Sequence, residues 1–256
     1  MFQPERLGQT LAHSEKLGRA FDQSAEYWRG YYEAEPGGAE PVGAERLRIF
    51  GEALTTVRAR GLWLDAGCGI GVMAQHLRSG GVRICGIDMS AGLLAEAQRL
   101  TGLPLVADDS APEEHLRRTS VARLPYAPEH FEGAYSSSVL EYVANLDLAL
   151  AELNRVVRRG GYLIFNLPNA FSVFRIRHAI QYRRDPYYEL VPRWAYWTWE
   201  VTAMLRSAGW LPERITFYGA EHNAPVVPRF VPERLRQRLS RSPLAASFVL
   251  FVARKP

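Results

Sequence analysis

The segment LDAGCGIG at residues 64–71 sets the strongest constraint on the fold. It follows a short apolar run and carries three glycines at alternate positions, Gly67, Gly69 and Gly71, with Asp65 before them. Glycine costs about 0.5–1 kcal/mol relative to alanine inside a helix or strand. Three glycines so close together therefore predict a loop between a buried strand and a helix, with a backbone that approaches a ligand.

Strand-like and helix-like segments alternate from residue 61 onward. One helical segment has a capping serine, Ser90, before it and a helix-ending glycine, Gly102, after it. Such alternation predicts an α/β fold with a doubly wound, largely parallel sheet and helices on both faces. Strands are predicted in GLWLDAG, VRICGID, LPLVADD, HFEGAYSSS, YLIFNLP, PERITFYG and ASFVLFVARKP.

A second acid supports a ligand at the glycine loop. Asp88 ends the second predicted strand, 19 residues after Gly69. A carboxylate at this place can accept hydrogen bonds from both hydroxyls of a ribose. The dinucleotide fingerprint G-x-G-x-x-G would need a glycine where Val72 stands, which disfavours a nicotinamide dehydrogenase.

The composition is that of an ordinary globular protein. The chain has 256 residues, of which 47% are hydrophobic and 23% charged, enough for one large α/β domain with additional segments. No apolar run approaches the roughly 20 residues that cross a bilayer, and the start has no signal-peptide core, so we expect a cytoplasmic protein. Cys68 and Cys85 are interpreted as packing residues rather than a disulfide pair.

Four motifs, in order, resemble class I S-adenosylmethionine-dependent methyltransferases of the methyltransferase-11 type. They are LDAGCGIG, GIDMSAGLLAEAQ, ARLPYAPEHFEGAYSSSVLEYV and ALAELNRVVRRGGYLIFNLPN, between about residue 45 and about residue 170. The resemblance implies a Rossmann-like, seven-stranded sheet with a reversed edge strand. It also implies S-adenosyl-L-methionine as the cofactor and S-adenosyl-L-homocysteine as its product.

The resemblance also implies roles for individual residues. The first motif would hold the methionine end, Asp88 the ribose and Met89 the adenine face, while Ser136 would lie near the sulfonium. For the adenine edge, Ser120 and Val121 fit the motif spacing better than Asp108 and Asp109 do. The implied cofactor-binding residues are Asp65, Ala66, Gly67, Gly69, Asp88, Met89, Ser120, Val121 and Ser136.

Catalytic groups are harder to assign. Tyr142 stands where many relatives have a histidine, so no base carries over at that position. His222, in a segment that weakly resembles the O-methyltransferases of ubiquinone biosynthesis, is the candidate base, with a structural or solvated histidine as the alternative. The cysteines and histidines show no metal-ligand spacing, so we expect no metal.

In this family the additional segments select the acceptor, which implies an N-terminal helical lid at 1–44 and a methyltransferase domain at 45–256 with caps at 170–197 and 220–246. The caps are rich in aromatics and arginine, as expected either for a packed surface or for a pocket that takes a small molecule with an apolar or aromatic body. We expect O-methylation in secondary-metabolite, quinone or glycolipid biosynthesis. The segment PERLRQRLSR would also suit peripheral contact with an anionic membrane.

Two alternatives stay open at this point. A nucleic-acid methyltransferase would agree with the net charge of +4, but the motif [DNS]-P-P-[YFW] is missing where SSSVLEY stands, so no nucleic-acid partner is expected. A non-catalytic protein that binds S-adenosylmethionine would carry the same loop and the same acid. The oligomeric state is not readable from the chain.

Overall fold

The computed structural model describes residues 4–22, 42–107, 113–172, 191–219, 232, 234–235 and 242–256. Asp108, Asp109 and His222 lie outside the described residues, as does most of the two predicted cap segments.

The described strands form one mixed sheet, which confirms the predicted α/β class. The strand order is β3-β4-β2-β1-β5-β6-β8-β7, and every neighbouring pair from β3 to β6 is parallel. Strand β8 runs antiparallel to both β6 and β7, so the reversed strand lies one position in from the edge. The strands are β1 Leu62–Ala66, β2 Arg83–Asp88, β3 Leu105–Val106, β4 Leu116–Arg118, β5 Phe131–Ser136, β6 Val157–Pro168, β7 Leu211–Tyr218 and β8 Phe248–Arg254.

Within the described residues the sheet has eight strands, where the sequence pattern predicted seven. The difference lies at LPLVADD, because the chain there forms only the two-residue strand β3, and the strand that pairs with β2 is β4. Burial explains the exchange. Leu116 of β4 is fully buried in a cluster with Cys68 and Leu94, whereas Leu105 of β3 is 42% exposed. The better hydrophobic anchor therefore takes the inner position.

Helices cover both faces of the sheet. Phe50 and Leu77 join the core on one face, and Leu150, Leu153 and Leu205 join the core on the other. Burial of such a side chain contributes roughly 1.5–3 kcal/mol, so these contacts fix the layers. The helices are α1 Pro4–Asp22, α2 Val42–Thr56, α3 Val72–Ser79, α4 Ala91–Thr101, α5 Leu146–Val156 and α6 Thr198–Ser207, with a 3₁₀ turn at Leu140–Tyr142.

Helix α4 begins and ends at the residues that the sequence predicted. The Ser90 hydroxyl accepts a hydrogen bond from the backbone N–H of Leu93, and Gly102 closes the helix with a φ of 69°. The predicted role of Cys68 and Cys85 is also confirmed, since both are buried and free. The start of α4 and the end of β2 are thereby fixed next to the glycine loop.

Helix α1 lies across the carboxyl ends of the strands. At its N-terminal part Arg6 donates to the side chains of Asn145 and Asp147 at the start of α5, at 2.7 and 2.9 Å. At its other end, Asp22 accepts from the Ser90 hydroxyl at 2.7 Å, at the start of α4. The helix therefore closes the sheet edge at which parallel α/β folds bind ligands.

Candidate active site

A pocket lies at the carboxyl ends of β1, β2, β4 and β5, beneath α1. It encloses about 1100 Å³ of empty space, part of it open to solvent. Its wall is formed by the glycine loop, the end of β2, the segments after β4 and β5, and one face of α1. The predicted residues in the lining are Asp65, Gly67, Gly69, Asp88, Met89, Ser120 and Val121.

The glycines of the loop after β1 serve two different needs. The backbone N–H groups of Gly67 and Cys68 both donate to the carbonyl of Ile87 at 2.8 Å, which ties the loop to β2. Gly67 has a φ of 90°, and a Cβ there would lie 2.3 Å from the Val139 side chain. Apart from its chain neighbours, no atom of the described residues would lie within 4 Å of a Cβ on Gly69. Gly67 thus permits close packing, and Gly69 leaves bare backbone in front of the pocket.

Asp88 is held by the backbone on both sides. One carboxylate oxygen accepts from Gly69 N–H and the other from Ser90 N–H, each at 2.9 Å. Burial raises the pKa of Asp88, and these backbone hydrogen bonds counteract that effect. A carboxylate has about four acceptor sites, so each oxygen keeps capacity for a further donor. Two neighbouring hydroxyls, as on a ribose, match this donor requirement.

Asp65 lies at the floor of the pocket and is 1% exposed. The hydroxyl of Tyr135, on β5, donates to its Oδ2 atom at 2.8 Å. Burial raises the pKa of Asp65 to about 7, the Tyr135 hydrogen bond lowers it, and the charge of Asp88 raises it. The pocket floor therefore holds a carboxylate that is poorly stabilised as an anion by the protein alone.

The far end of the pocket is covered by α1. The hydroxyls of Ser14 and Ser120 are 3.1 Å apart. Gly18 packs so tightly that a Cβ there would lie 2.6 Å from the carbonyl oxygen of Met89. Val121 also lines the pocket, so the segment after β4 contributes to its surface, and the assignment of Ser120 and Val121 to an adenine edge stays a prediction.

Ala66 and Ser136 lie beside the pocket, outside its lining. The Ser136 hydroxyl donates to the Ala66 carbonyl at 2.7 Å, and both residues are fully buried. Their assignment as cofactor contacts stays a prediction. After β5, the first residue in the pocket lining is Ser137. Its hydroxyl is buried and has no hydrogen-bond partner in the described part of the chain. Such an atom is one that a ligand would satisfy.

Several lining residues escaped the sequence analysis. Arg46 of α2 lines the pocket although it is 5% exposed, and its guanidinium lies 5.5 Å from the Phe248 ring. On α1, the small residues Ser14 and Gly18 are spaced four apart, together with Leu17. This small-residue stripe is the signal that could have revealed the close approach of α1, because it marks one helix face.

The described ranges contain neither a candidate metal site nor a membrane-spanning helix. No group of three or more His, Cys, Asp or Glu side chains there could hold a metal ion. Among those same residues, no helix combines the length and apolar character needed to cross a membrane.

Comparisons with known proteins identify the pocket-bearing part of the chain. The profile of a family described as a methyltransferase domain matches residues 64–165. This range contains the glycine loop, Asp88 and the segment after β5. Residues 64–165 therefore match a methyltransferase domain, which supports the resemblance to class I S-adenosylmethionine-dependent methyltransferases. The resemblance predicted from the four motifs is thereby confirmed.

Curated relatives resemble about half of the chain. The malonyl-[acyl-carrier protein] O-methyltransferase of Erwinia billingiae is 33% identical over 137 residues, which are 52% of this chain and 51% of the relative. The chain thus spans about half the length of the curated relatives that it matches.

Solved structures with this domain share its fold at low identity. A Haloferax volcanii methyltransferase in complex with its Trm112 activator has a TM-score of 0.65 at 16% identity and covers 92% of this chain and 97% of its own. The 1,6-didemethyltoxoflavin-N1-methyltransferase of Burkholderia thailandensis, with bound S-adenosylhomocysteine, has a TM-score of 0.59 at 15% identity, with 94% and 87% covered. At such identities the likeness shows the fold alone.

Proposed function

We propose that the protein is an S-adenosylmethionine-dependent methyltransferase that methylates oxygen on a small molecule with an apolar or aromatic body. One observation carries the proposal, namely the glycine loop and Asp88, which meet at the carboxyl edge of the sheet through the hydrogen bond from Gly69. Backbone facing open space beside a carboxylate is suited to an adenosyl group with an amino-acid extension.

Different residues of the chain would bind different parts of the cofactor. We assign the ribose hydroxyls to Asp88, the adenine to the space between Met89 and the segment Ser120–Val121, and the amino-acid end to Asp65 and Arg46. When bound, the cofactor supplies a methyl group on a positively charged sulfur, which is a strong electrophile. The residues need to orient the acceptor in line with that methyl group and exclude water.

A proton acceptor is needed only for some acceptors. A carboxylate oxygen is already ionised at neutral pH, whereas a hydroxyl of high pKa must lose its proton. The relatives are named as O-methyltransferases of a malonyl carrier, which favours oxygen as the site of transfer. His222 remains our candidate base for a hydroxyl acceptor.

The N-terminal segment 1–44 is proposed as a lid on a methyltransferase domain at 45–256, with caps at 170–197 and 220–246. Support for the lid comes from α1, whose residues Ser14, Leu17, Gly18 and Phe21 line the pocket. We propose a small-molecule acceptor, and not nucleic acid, for the surface next to them.

Calorimetry with S-adenosylmethionine, S-adenosylhomocysteine and NAD tests the cofactor. For the first two ligands we expect micromolar dissociation constants, which correspond to binding free energies on the order of −8 kcal/mol. We expect no comparable binding of NAD. Tight NAD binding without binding of the adenosyl ligands would refute the proposal.

Transfer of a labelled methyl group to a panel of acceptors tests the reaction. The panel contains apolar carboxylic acids, phenols, amines, RNA and DNA. Label in the acids or phenols, in a form released by ester or ether cleavage, supports O-methylation of a small molecule. Label only in nucleic acid, or no transfer despite cofactor binding, contradicts it.

A further inference from the structure

Tyr135 has a buried ring that packs like a core residue and a hydroxyl that needs a hydrogen-bond partner. It lies in the middle of the sheet, on β5, and is 0% exposed. Its ring packs edge-on against Phe50 at 6.5 Å between centroids. A phenylalanine would fill this space equally well, so the hydroxyl must be accounted for by its partner, Asp65.

The surroundings of Asp65 make that hydroxyl important. Among the described residues that face this carboxylate, Asp88 on β2 adds a second negative charge, and Cys68 adds a neutral thiol whose pKa is raised by burial. Arg46 of α2 lines the same pocket. Within the described residues, the hydrogen bond to Asp65 comes from Tyr135 on β5, at 2.8 Å to Oδ2. That bond fixes the rotation of the carboxylate.

We propose that Tyr135 is a positioning residue, whose hydroxyl holds Oδ2 of Asp65 so that Oδ1 faces the pocket as an ionised acceptor for a ligand ammonium group. This inference rests on the proposed function, because the ammonium group is that of the amino-acid end of the adenosyl cofactor. Tyr135 itself touches no ligand, since it does not line the pocket.

The proposal has a consequence for the dependence of binding on pH. Burial favours the neutral form of Asp65, and a donated hydrogen bond favours the anion. Removal of the hydroxyl therefore shifts Asp65 toward its protonated form, which attracts an ammonium group less. The loss should be greatest at the acidic side of neutrality and should shrink as the pH rises.

Two ligands and one conservative variant test this inference. Dissociation constants of S-adenosylhomocysteine and 5′-methylthioadenosine are measured by calorimetry for the wild-type protein and Tyr135→Phe, between pH 6.0 and 7.5. Methylthioadenosine keeps the adenosine but has no amino-acid end. We expect Tyr135→Phe to weaken homocysteine-ligand binding about fivefold at pH 6.5, less at pH 7.5, and to leave methylthioadenosine binding unchanged.

Each outcome has a distinct meaning. Equal weakening of both ligands at every pH would show a merely structural role and overturn the inference, while the proposed function stands. Unchanged binding of both ligands to Tyr135→Phe would overturn it as well. A wild-type protein that binds neither ligand overturns the proposed function and the inference together.

A second variant separates the charge of Asp65 from its hydrogen bond with Tyr135. Asp65→Asn keeps an oxygen that can accept from Tyr135 but carries no charge. We expect Asp65→Asn to weaken the binding of S-adenosylhomocysteine but not that of methylthioadenosine. This loss should change little between pH 6.0 and pH 7.5. Adding Tyr135→Phe to Asp65→Asn should then cost no more than about twofold. If the double variant bound S-adenosylhomocysteine a further fivefold more weakly than Asp65→Asn does, the inference would be overturned.

Discussion

Two buried polar groups on neighbouring strands have opposite characters. Asp65 of β1 has one carboxylate oxygen bonded to Tyr135 and contributes to the pocket wall. One strand away, Cys85, His115 and Tyr126 bond one another, with 3.1 Å from Sγ to Nε2, 3.5 Å from Sγ to the hydroxyl and 3.1 Å from Nε2 to the hydroxyl. Asp65 lines the pocket, whereas the polar groups of the second cluster are satisfied by protein side chains.

The difference separates function from stability. Burial raises the pKa of Cys85 to about 11, so the sulfur stays a thiol, and none of the three cluster residues lines the pocket. A satisfied buried cluster stabilises the fold, whereas a buried charge that lacks sufficient partners costs stability and gains its partners from a ligand. Substitutions in the two groups should therefore change different quantities.

The largest effect is expected at Asp88, which shares the open pocket with Asp65. Asp88→Ala should weaken cofactor binding by about 2–4 kcal/mol, because two charge-assisted hydrogen bonds to the ribose are lost. Calorimetry with S-adenosylhomocysteine measures this loss. The matched control is Asp22→Ala, which removes the acceptor for Ser90 and Gly92 at the same helix end. Equal losses in the two variants would contradict direct hydrogen bonds from the ligand to Asp88.

Asp65→Asn should stabilise the protein without ligand by about 1–3 kcal/mol at pH 8. The carboxyl has a pKa of about 7 when folded and near 3.8 as a free side chain, so folding takes up a proton between these values. Stability contributed by this group is therefore lost as the pH rises from about 4 to about 7, with an upper limit of ~4 kcal/mol. Urea unfolding at pH 4.5 and pH 8 should show the gain mainly at pH 8, and a loss of stability at pH 8 would contradict it.

Tyr126→Phe tests the closed cluster. It should destabilise the fold by about 1–2 kcal/mol, because the buried residues His115 and Cys85 lose a hydrogen-bond partner. Thermal unfolding measures this loss. Affinity for S-adenosylhomocysteine should stay within about twofold of wild type, and a larger fall would mean that the two regions are coupled.

The smallest change in stability is expected for Gly69→Ala, at about 1 kcal/mol. Its φ of 52° is one that other residues adopt at modest cost, and its Cβ would project into open space. Cofactor affinity should fall nonetheless, because that space belongs to the ligand. Gly67→Ala is the matched contrast, since its Cβ would strike Val139 and should cost several times more stability, as measured by urea unfolding. Equal stability in the two variants would contradict this account of the loop.

The parts of the molecule that depend on local pattern were predictable from the sequence. The glycine loop, Asp88 as the end of β2 and the Ser90 cap each follow from a few adjacent residues, and the structure has the loop, the strand end and the cap there. The position of β4 was not predictable in this way, because it depends on burial of Leu116 against residues from two other elements. Local periodicity does not indicate which of two short apolar segments pairs with β2 in the inner position of the sheet.

The sequence analysis expected an N-terminal lid, but the contacts that hold α1 over the pocket were not predictable, for the same reason. The contact of Ser14 with Ser120 joins residues 106 positions apart, and that of Asp22 with Ser90 joins residues 68 apart. The pairing of Tyr135 with Asp65 spans 70 positions. Each is a side-chain contact between elements that the alternation of strands and helices predicts only as separate pieces.

The attachment of α1 has a consequence for the rate of turnover. Its ties at Arg6 and Asp22 are polar and partly exposed, and it lies over the pocket between them. In the proposed role of α1 as a lid, exchange of a bound ligand is timed by the breaking of the contacts at Arg6 and Asp22. Because salt weakens partly exposed ion pairs, a higher ionic strength should increase the rates of ligand entry and exit together. The equilibrium dissociation constant should stay nearly unchanged. The N-terminal helix would then govern residence time without taking part in the chemistry.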